Sequence, residues 1–352
     1  MIVYKVYKIY QPYKHCIVSK KFRQVGIYIF GRQIVNSPPN FEKQMHQIAT
    51  SALPAFGLEG SVLTGIQHLV NSSFRVQHWR GDWYLRVYHP HRHDRNSVEA
   101  ELVWLDTLAR AGLPVPKPRT TLDGAYLWQT TSPSDRPYLV SLTAWIAGVI
   151  LPGAERTAQH YMAVGTLLGQ LHRYTTQWQP PIGFQRPRCD AAGIYGPLGV
   201  MGRTVEVAWQ NVAGELRTDL EAARDRLIDA EGAIGQTPQT YGLIHGDPSF
   251  GNLLFCETAP ALIDFDDCGF GFYTYDLVVV LAGAWGKADY HENRQALLAG
   301  YEAIRPLETS ERAAIPAMMA ARAASIIFWA AAQAVAHPWI AGQHARLLAY
   351  LT

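Results

Sequence analysis

Few cysteines, no long apolar run and almost no net charge mark this sequence, and each shortage removes a class of function. The four cysteines, at 16, 189, 256 and 268, form no Cys-x-x-Cys pair. That argues against a zinc module and a disulfide framework, and suits a reducing, cytoplasmic setting. In the most apolar C-terminal stretch, Arg322 and Gln333 leave only ten residues between them. This is shorter than a bilayer requires, so a buried helix is expected there and no membrane span. Net charge is +2 over 352 residues, 17% of them charged and 48% apolar. No global field recruits nucleic acid or a membrane, and the length allows about two domains.

The charge is unevenly spread. Residues 1–44 hold eight Lys or Arg against one acidic residue, Glu42, leaving 23 basic and 28 acidic residues in the remainder. Tyr4, Tyr7, Tyr10 and Tyr13 recur at intervals of three. A basic, aromatic binding arm is one reading. The other is an extension outside the folded body, which begins at Met45: the segment lacks a continuous apolar core and a small-residue cleavage site, and its composition differs from everything downstream.

From Gly60 the pattern turns to strands over 62–70, 74–79 and 83–88, the last two forming a hairpin. Alternation puts Leu85 and Val87 on one face and Tyr84, Arg86 and Tyr88 on the other. A helix is expected over 96–111, stopped by Gly112, with Val98, Leu102, Leu105 and Leu108 as its buried stripe. Glu101 lies beside that stripe and Glu99 points away. Runs at 120–130 and 137–143 complete five strands, and helical patterns follow over 158–174, 205–230, 276–286 and 312–336. His89, His91 and His93 alternate among Pro and Arg with no carboxylate cluster, which reads as an exposed loop.

The chemistry concentrates in His245-Gly246-Asp247-Pro248-Ser249-Phe250-Gly251-Asn252 and in Ile263-Asp264-Phe265-Asp266-Asp267. An Asp followed five residues later by an Asn repeats the spacing of a kinase catalytic loop. Short strands on either side of the turn 257–260 would bring Asp264 back beside Asn252. A carboxylate and an amide oxygen are the hard ligands that Mg2+ takes, with phosphates and water completing its shell.

These two motifs, in this order, resemble the aminoglycoside phosphotransferase and choline kinase family, and the resemblance covers most of the chain from Gly60 onward. It implies an α+β, two-lobed protein-kinase-like fold. The small nucleotide-binding lobe, 45–143, would carry a five-stranded antiparallel sheet and one helix. A hinge at 144–148 would lead to a larger, mainly helical catalytic and acceptor-binding lobe at 149–352. By the same resemblance Asp247 is the catalytic Asp, Asn252 and Asp264 are Mg2+ ligands, and Asp276 braces the catalytic loop. Arg86 stands where kinases carry a phosphate-gripping Lys, with Glu101, or else Glu99, as its partner. Ser72 and Ser73 occupy the phosphate-loop position, and backbone groups of Ala144 and Ile146 would meet the adenine of ATP. His172 recurs in family helices near the catalytic loop, or is a satisfied core histidine. The insert at 180–202, rich in Pro and Gly, is expected to cap the acceptor.

The expected activity is transfer of the ATP γ-phosphate to a hydroxyl of a small molecule by a monomer or homodimer. The alternatives are an atypical serine/threonine protein kinase of the same fold and a nucleotide-binding scaffold without turnover. No Gly-x-Gly-x-x-Gly precedes the hairpin, which disfavours an ordinary protein kinase. From Val280 to Thr352 five acidic residues face six basic ones, with no acidic excess for a polycation. Residues 266–273 resemble family members grouped with homoserine kinases and stress-response protein kinases.

Overall fold

Alternation between 62 and 88 does build a sheet, and its apolar face sets where the first core forms. The computed structural model describes residues 40–68, 71–90, 94–130, 137–332 and 339–351. The expected extension up to residue 39, together with His91 and His93, lies outside the described residues. Two compact units result: the first runs to Val149 and takes in Ala261–Ile263, and the second holds Ile150–Pro260 and Asp264–Thr352.

The first unit contains α1 (Phe41–Ala52), β1 (Val62–His68), β2 (Ser72–His78), β3 (Gly81–Tyr88), α2 (Arg95–Arg110), β4 (Pro118–Arg119), β5 (Leu127–Gln129) and β6 (Leu139–Ala144). The sheet has six antiparallel strands in the order β1-β2-β3-β6-β4, with β5 also on β6. One more strand is present than expected because β4 is two residues long, too short to show alternation. Two helices are present where one was expected. Met45, Ala49 and Ala52 of α1, spaced by four and three, bury themselves against Phe74, Val76, Leu85, Val87, Val140 and Leu142. Phe41 packs on the same cluster. The folded body therefore starts at least four residues before Met45, where the basic composition of the first 44 residues had suggested a boundary. The opposite face of the sheet is polar, with Ser73, Arg86 and Ser141 in register across β2, β3 and β6.

The second unit contains α3 (Ala158–Thr175), α4 (Ala191–Ile194), α5 (Thr204–Asn211), α6 (Gly214–Ile234), β7 (Tyr241–Ile244), β8 (Leu253–Cys256), the start of β9 (Ala259–Leu262), β10 (Gly269–Phe272), α7 (Tyr273–Ala282), α8 (Tyr290–Glu302), α9 (Thr309–Ala332) and α10 (Trp339–Leu351). The helix expected over 205–230 is broken between Asn211 and Gly214, whose φ is 59°. Side chains hold the break: Arg217 donates to the Trp209 carbonyl and Asn211 to that of Ala331. Helix α9 is 24 residues long and apolar enough by length and composition to cross a membrane, with 61% of its most apolar window buried inside the protein. Arg322 does not interrupt it, so the expected shortness was mistaken. Its packing against α5, α6, α7 and α10 makes it a core helix.

Helices α3 and α8 meet backbone to backbone. A methyl at Gly165 would run into the Leu297 carbonyl, and one at Gly300 into that of Met162. Gly165→Ala is expected to lower the unfolding free energy by about 3 kcal/mol, as overpacking does. Gly232, exposed on α6 with open space around it, should gain roughly 0.5–1 kcal/mol from the same change. Denaturant titration of both variants checks the contrast, and equal shifts would contradict the close packing.

Candidate active site

Strands β7 and β10 pair antiparallel, with Ile244 opposite Gly269. This register sets the loop after β7 beside the one before β10. Gly246 has φ 81°, and a Cβ there would meet the Asp267 carbonyl. Glycine is required by conformation and by space.

The loop hangs on one carboxylate. Asp276, fully buried in the first turn of α7, accepts the His245 amide at 2.9 Å on one oxygen and the Gly246 amide at 2.9 Å on the other. His172 Nε2 lies 3.1 Å from the same carboxylate, while its Nδ1 lies 2.9 Å from the Tyr301 hydroxyl. A carboxylate only accepts, so the His172 proton sits on Nε2 and Tyr301 donates to Nδ1. Arg305 then donates to the Tyr301 oxygen at 3.1 Å and to Glu311 at 2.8 Å. Burial holds the His172 imidazole below its ordinary pKa against the upward pull of Asp276. Asp276 braces the loop as the family resemblance implied, and His172 is its positioning partner.

At the loop's end both Asp247 oxygens are engaged. Asn252 Nδ2 donates to Asp247 Oδ2 at 3.0 Å and to its backbone carbonyl at 2.9 Å. Arg322 of α9 donates to Oδ1 at 2.6 Å. Burial opposes charge on Arg322, yet Asp247, Tyr275 and Asp267 together raise its pKa. The sequence reading passed over Arg322 as a break in a helix. The signal was present: a cation in an alanine-rich apolar run is costly unless something pairs with it.

Asp264 has φ 62°, a left-handed conformation that costs a non-glycine residue on the order of 1 kcal/mol. Arg186, from the insert expected to cap an acceptor, secures this stretch by donating to the carbonyls of Cys268 at 2.7 Å and Asp266 at 2.5 Å. Burial first, and then Asp247, Asp266 and Asp264, push the Asp267 carboxyl up to about 7, with Arg322 opposing. Crowded acids of this kind call for a cation. Among the described residues no three His, Cys, Asp or Glu form a metal cluster. One carboxylate and one amide oxygen fit Mg2+, which keeps water and phosphate ligands. With its Nδ2 spent on Asp247, Asn252 has Oδ1 left to offer.

In the first unit Arg86 lies 3.7 Å from Glu101, both side chains buried. Glu99 instead pairs with Arg95 at 2.8 Å on the surface, which settles the choice between the two acids. The guanidinium of Arg86 also lies 5.6 and 5.8 Å from the rings of Tyr84 and Tyr88, contacts that favour arginine's flat cation over lysine's. Ser72 and Ser73 are fully buried at the start of β2 and are not loop residues. Their hydroxyls lie 3.4 Å from His89 Nε2 and 2.6 Å from the Tyr84 hydroxyl, so both belong to the strand and not to a loop before it. The apolar neighbours Phe74 and Val76 extend the strand to them. Ala144 donates its amide to the Lys117 carbonyl at 2.8 Å, because it ends β6 beside β4. That N–H is therefore not available to an adenine. Ile146 follows the strand and is half-buried.

Two measurements test these assignments. Asp276→Asn turns one acceptor into a donor facing a donor, and should cost roughly 3 kcal/mol of stability by denaturant titration; an unchanged midpoint would contradict the brace. The Asp267 carboxyl takes a proton near pH 7 when folded and near about 3.9 when unfolded. The folded chain thus binds more protons between these values, and this group's cost is relieved as pH falls. Asp267→Asn should stabilise the protein by on the order of 1 kcal/mol at pH 8, with the gain fading toward pH 5. A gain independent of pH would refute the crowding.

Comparison with known proteins places this arrangement. A homoserine kinase of Xanthobacter autotrophicus is 31% identical over 300 residues, covering 80% of this chain and 84% of the relative. The microcompartment-associated aminopropanol kinase superposes with a TM-score of 0.73 at 25% identity, over 87% of this chain and 95% of that one. Amicoumacin kinase hAmiN, solved with AMP-PNP and Ca2+, gives 0.72 at 19% identity over 88% and 93%. The model of the phosphotransferase enzyme family matches residues 63–314, well over half the chain and the whole of the braced loop and its acidic partner. The chain belongs to the phosphotransferase enzyme family and has its kinase-like fold.

Proposed function

We propose that the protein is a kinase that transfers the γ-phosphate of Mg-ATP to a hydroxyl of a small molecule. The observation that carries this reading is the engagement of Asp247 and Asn252. The carboxylate is held by Arg322 and by Asn252 Nδ2, which leaves the Asn252 amide oxygen as the atom this side chain has to offer a cation. In the reaction Asp247 orients the acceptor hydroxyl and takes its proton, the acceptor oxygen bonds to the γ-phosphorus, and the bond to the leaving ADP oxygen breaks. Asn252 and Asp264 would hold Mg2+, which when bound neutralises phosphate charge. Arg86, kept in place by Glu101 and two tyrosines, is the side chain for nucleotide phosphates, and the backbone around Ile146 is the remaining candidate for adenine.

The named relatives support a small acceptor, since a homoserine kinase and an aminopropanol kinase both carry in their names a short hydroxylated amine. ADP release from Mg-ATP with hydroxy amino acids, amino alcohols, aminoglycosides and a generic protein acceptor would identify the class. Asp247→Asn is expected to retain nucleotide affinity, followed with a fluorescent analogue, while turnover falls by roughly 10²–10⁴-fold. Near-wild-type turnover would remove Asp247 as the base.

A further inference from the structure

Of two arginines in the C-terminal helices, Arg322 has donors to spare beyond its pairing with Asp247, and Arg346 has no carboxylate partner among the described residues. Arg322 uses one N–H on Asp247 and bonds Tyr275, which leaves much of its five-donor fork unspent on a side chain that is 19% exposed. Helix α10 packs along α9 and brings in Arg346, whose guanidinium lies 5.1 Å from the Trp285 ring. The Nε of Arg346 is buried with no hydrogen-bond partner, and no carboxylate among the described residues pairs with this side chain. One turn away on the same helix face, the Gln343 Oε1 is likewise buried and unpartnered. An orphaned buried donor or acceptor costs about 1–3 kcal/mol each, so two of them one helical turn apart call for an occupant. Burial, reinforced by the charge of Arg322, lowers the pKa of Arg346. Two cations that feel each other inside a protein are relieved by an anion.

We propose that Arg322 and Arg346 form the carboxylate subsite of the acceptor, so that the small molecule phosphorylated here carries a carboxylate near its hydroxyl. This rests on the kinase reading, because it places the anion by its distance from Asp247. A carboxylate matches the planar fork of arginine in two parallel bonds. Held on Arg322, it sets the remainder of the acceptor beside the base. The unmet Gln343 oxygen suits an amino group on the same molecule, which makes a hydroxy amino acid the best match. An acceptor carboxylate would also draw Arg322 away from Asp247 Oδ1, freeing that oxygen for the hydroxyl proton.

Isothermal titration of the full chain with L-homoserine and L-threonine, and with their decarboxylated counterparts 3-amino-1-propanol and 1-amino-2-propanol, tests the subsite without turnover. Mg-AMP-PNP is included in parallel runs. The acid of at least one pair should bind more tightly than its amine by about tenfold or more, the worth of one charge-assisted pair. Arg346→Met should erase that ratio and Arg346→Lys restore part of it, with thermal melts reporting on folding. Tighter binding of the amines, a ratio that survives Arg346→Met, or no binding of either acid overturns the proposal. So does an Arg346→Met variant that loses nucleotide affinity but keeps its preference for the acid. ADP release separates the two claims. If the acids bind yet release no ADP from Mg-ATP, the kinase reading fails while the subsite stands; release favoured by the amines does the reverse.

Discussion

The bonds that Asp276 accepts are the constraint on which the second unit's chemistry depends. A loop that turns at Gly246 must leave its amides out of any sheet, and buried amides without acceptors are costly. Asp276 satisfies two of them with one carboxylate. That carboxylate is buried in turn, which is tolerable only because His172 and the backbone N–H groups surround it. The direction in which Asp247 leaves the turn is thereby fixed by a residue 29 positions later in the chain.

Around this brace the electrostatics are unbalanced. Asp247, Asp264 and Asp266 act on the buried Asp267, and Arg322 offsets only part of that repulsion. The stored repulsion and the left-handed Asp264 both lower the stability of the folded chain, and a bound cation would relieve the first directly. Arg186 limits the damage by tying the carbonyls of this stretch to the insert. The cost falls locally, on the stretch from Asp264 to Asp267, and a cation that binds only the folded chain would offset it.

What the sequence made legible was the local part. Asp247, Asn252 and Asp264 stood out because their spacing is set by one loop and one hairpin, and Glu101 because helix period places it beside an apolar stripe. Ser72 and Ser73 read as loop residues in the sequence, yet they begin a strand, because polar residues can do so when Phe74 and Val76 behind them are buried. Arg186 and Arg322 were missed for a different reason: each reaches its partner across about 75 to 82 residues of chain, and no periodicity encodes such a contact. The α1 boundary failed because Phe41 is a single apolar residue in a basic context, and only the core it packs against shows that it belongs to the fold.

Packing and charge are not separable in this unit. The bonded chain from Glu311 through Arg305, Tyr301 and His172 to Asp276 crosses from α9 to α8, α3 and α7. It closes only if α3 and α8 approach closely enough for His172 Nδ1 to sit 2.9 Å from the Tyr301 hydroxyl. The glycines Gly165 and Gly300 permit that approach by removing the side chains that would hold two helices at the usual 8–10 Å or so. A shift of even an ångström would stretch a hydrogen bond between buried groups that have no water to turn to. Small residues far from Asp247 in sequence therefore belong to the geometry of its loop, and α9, which supplies both Glu311 at one end and Arg322 at the centre, joins the brace to Asp247.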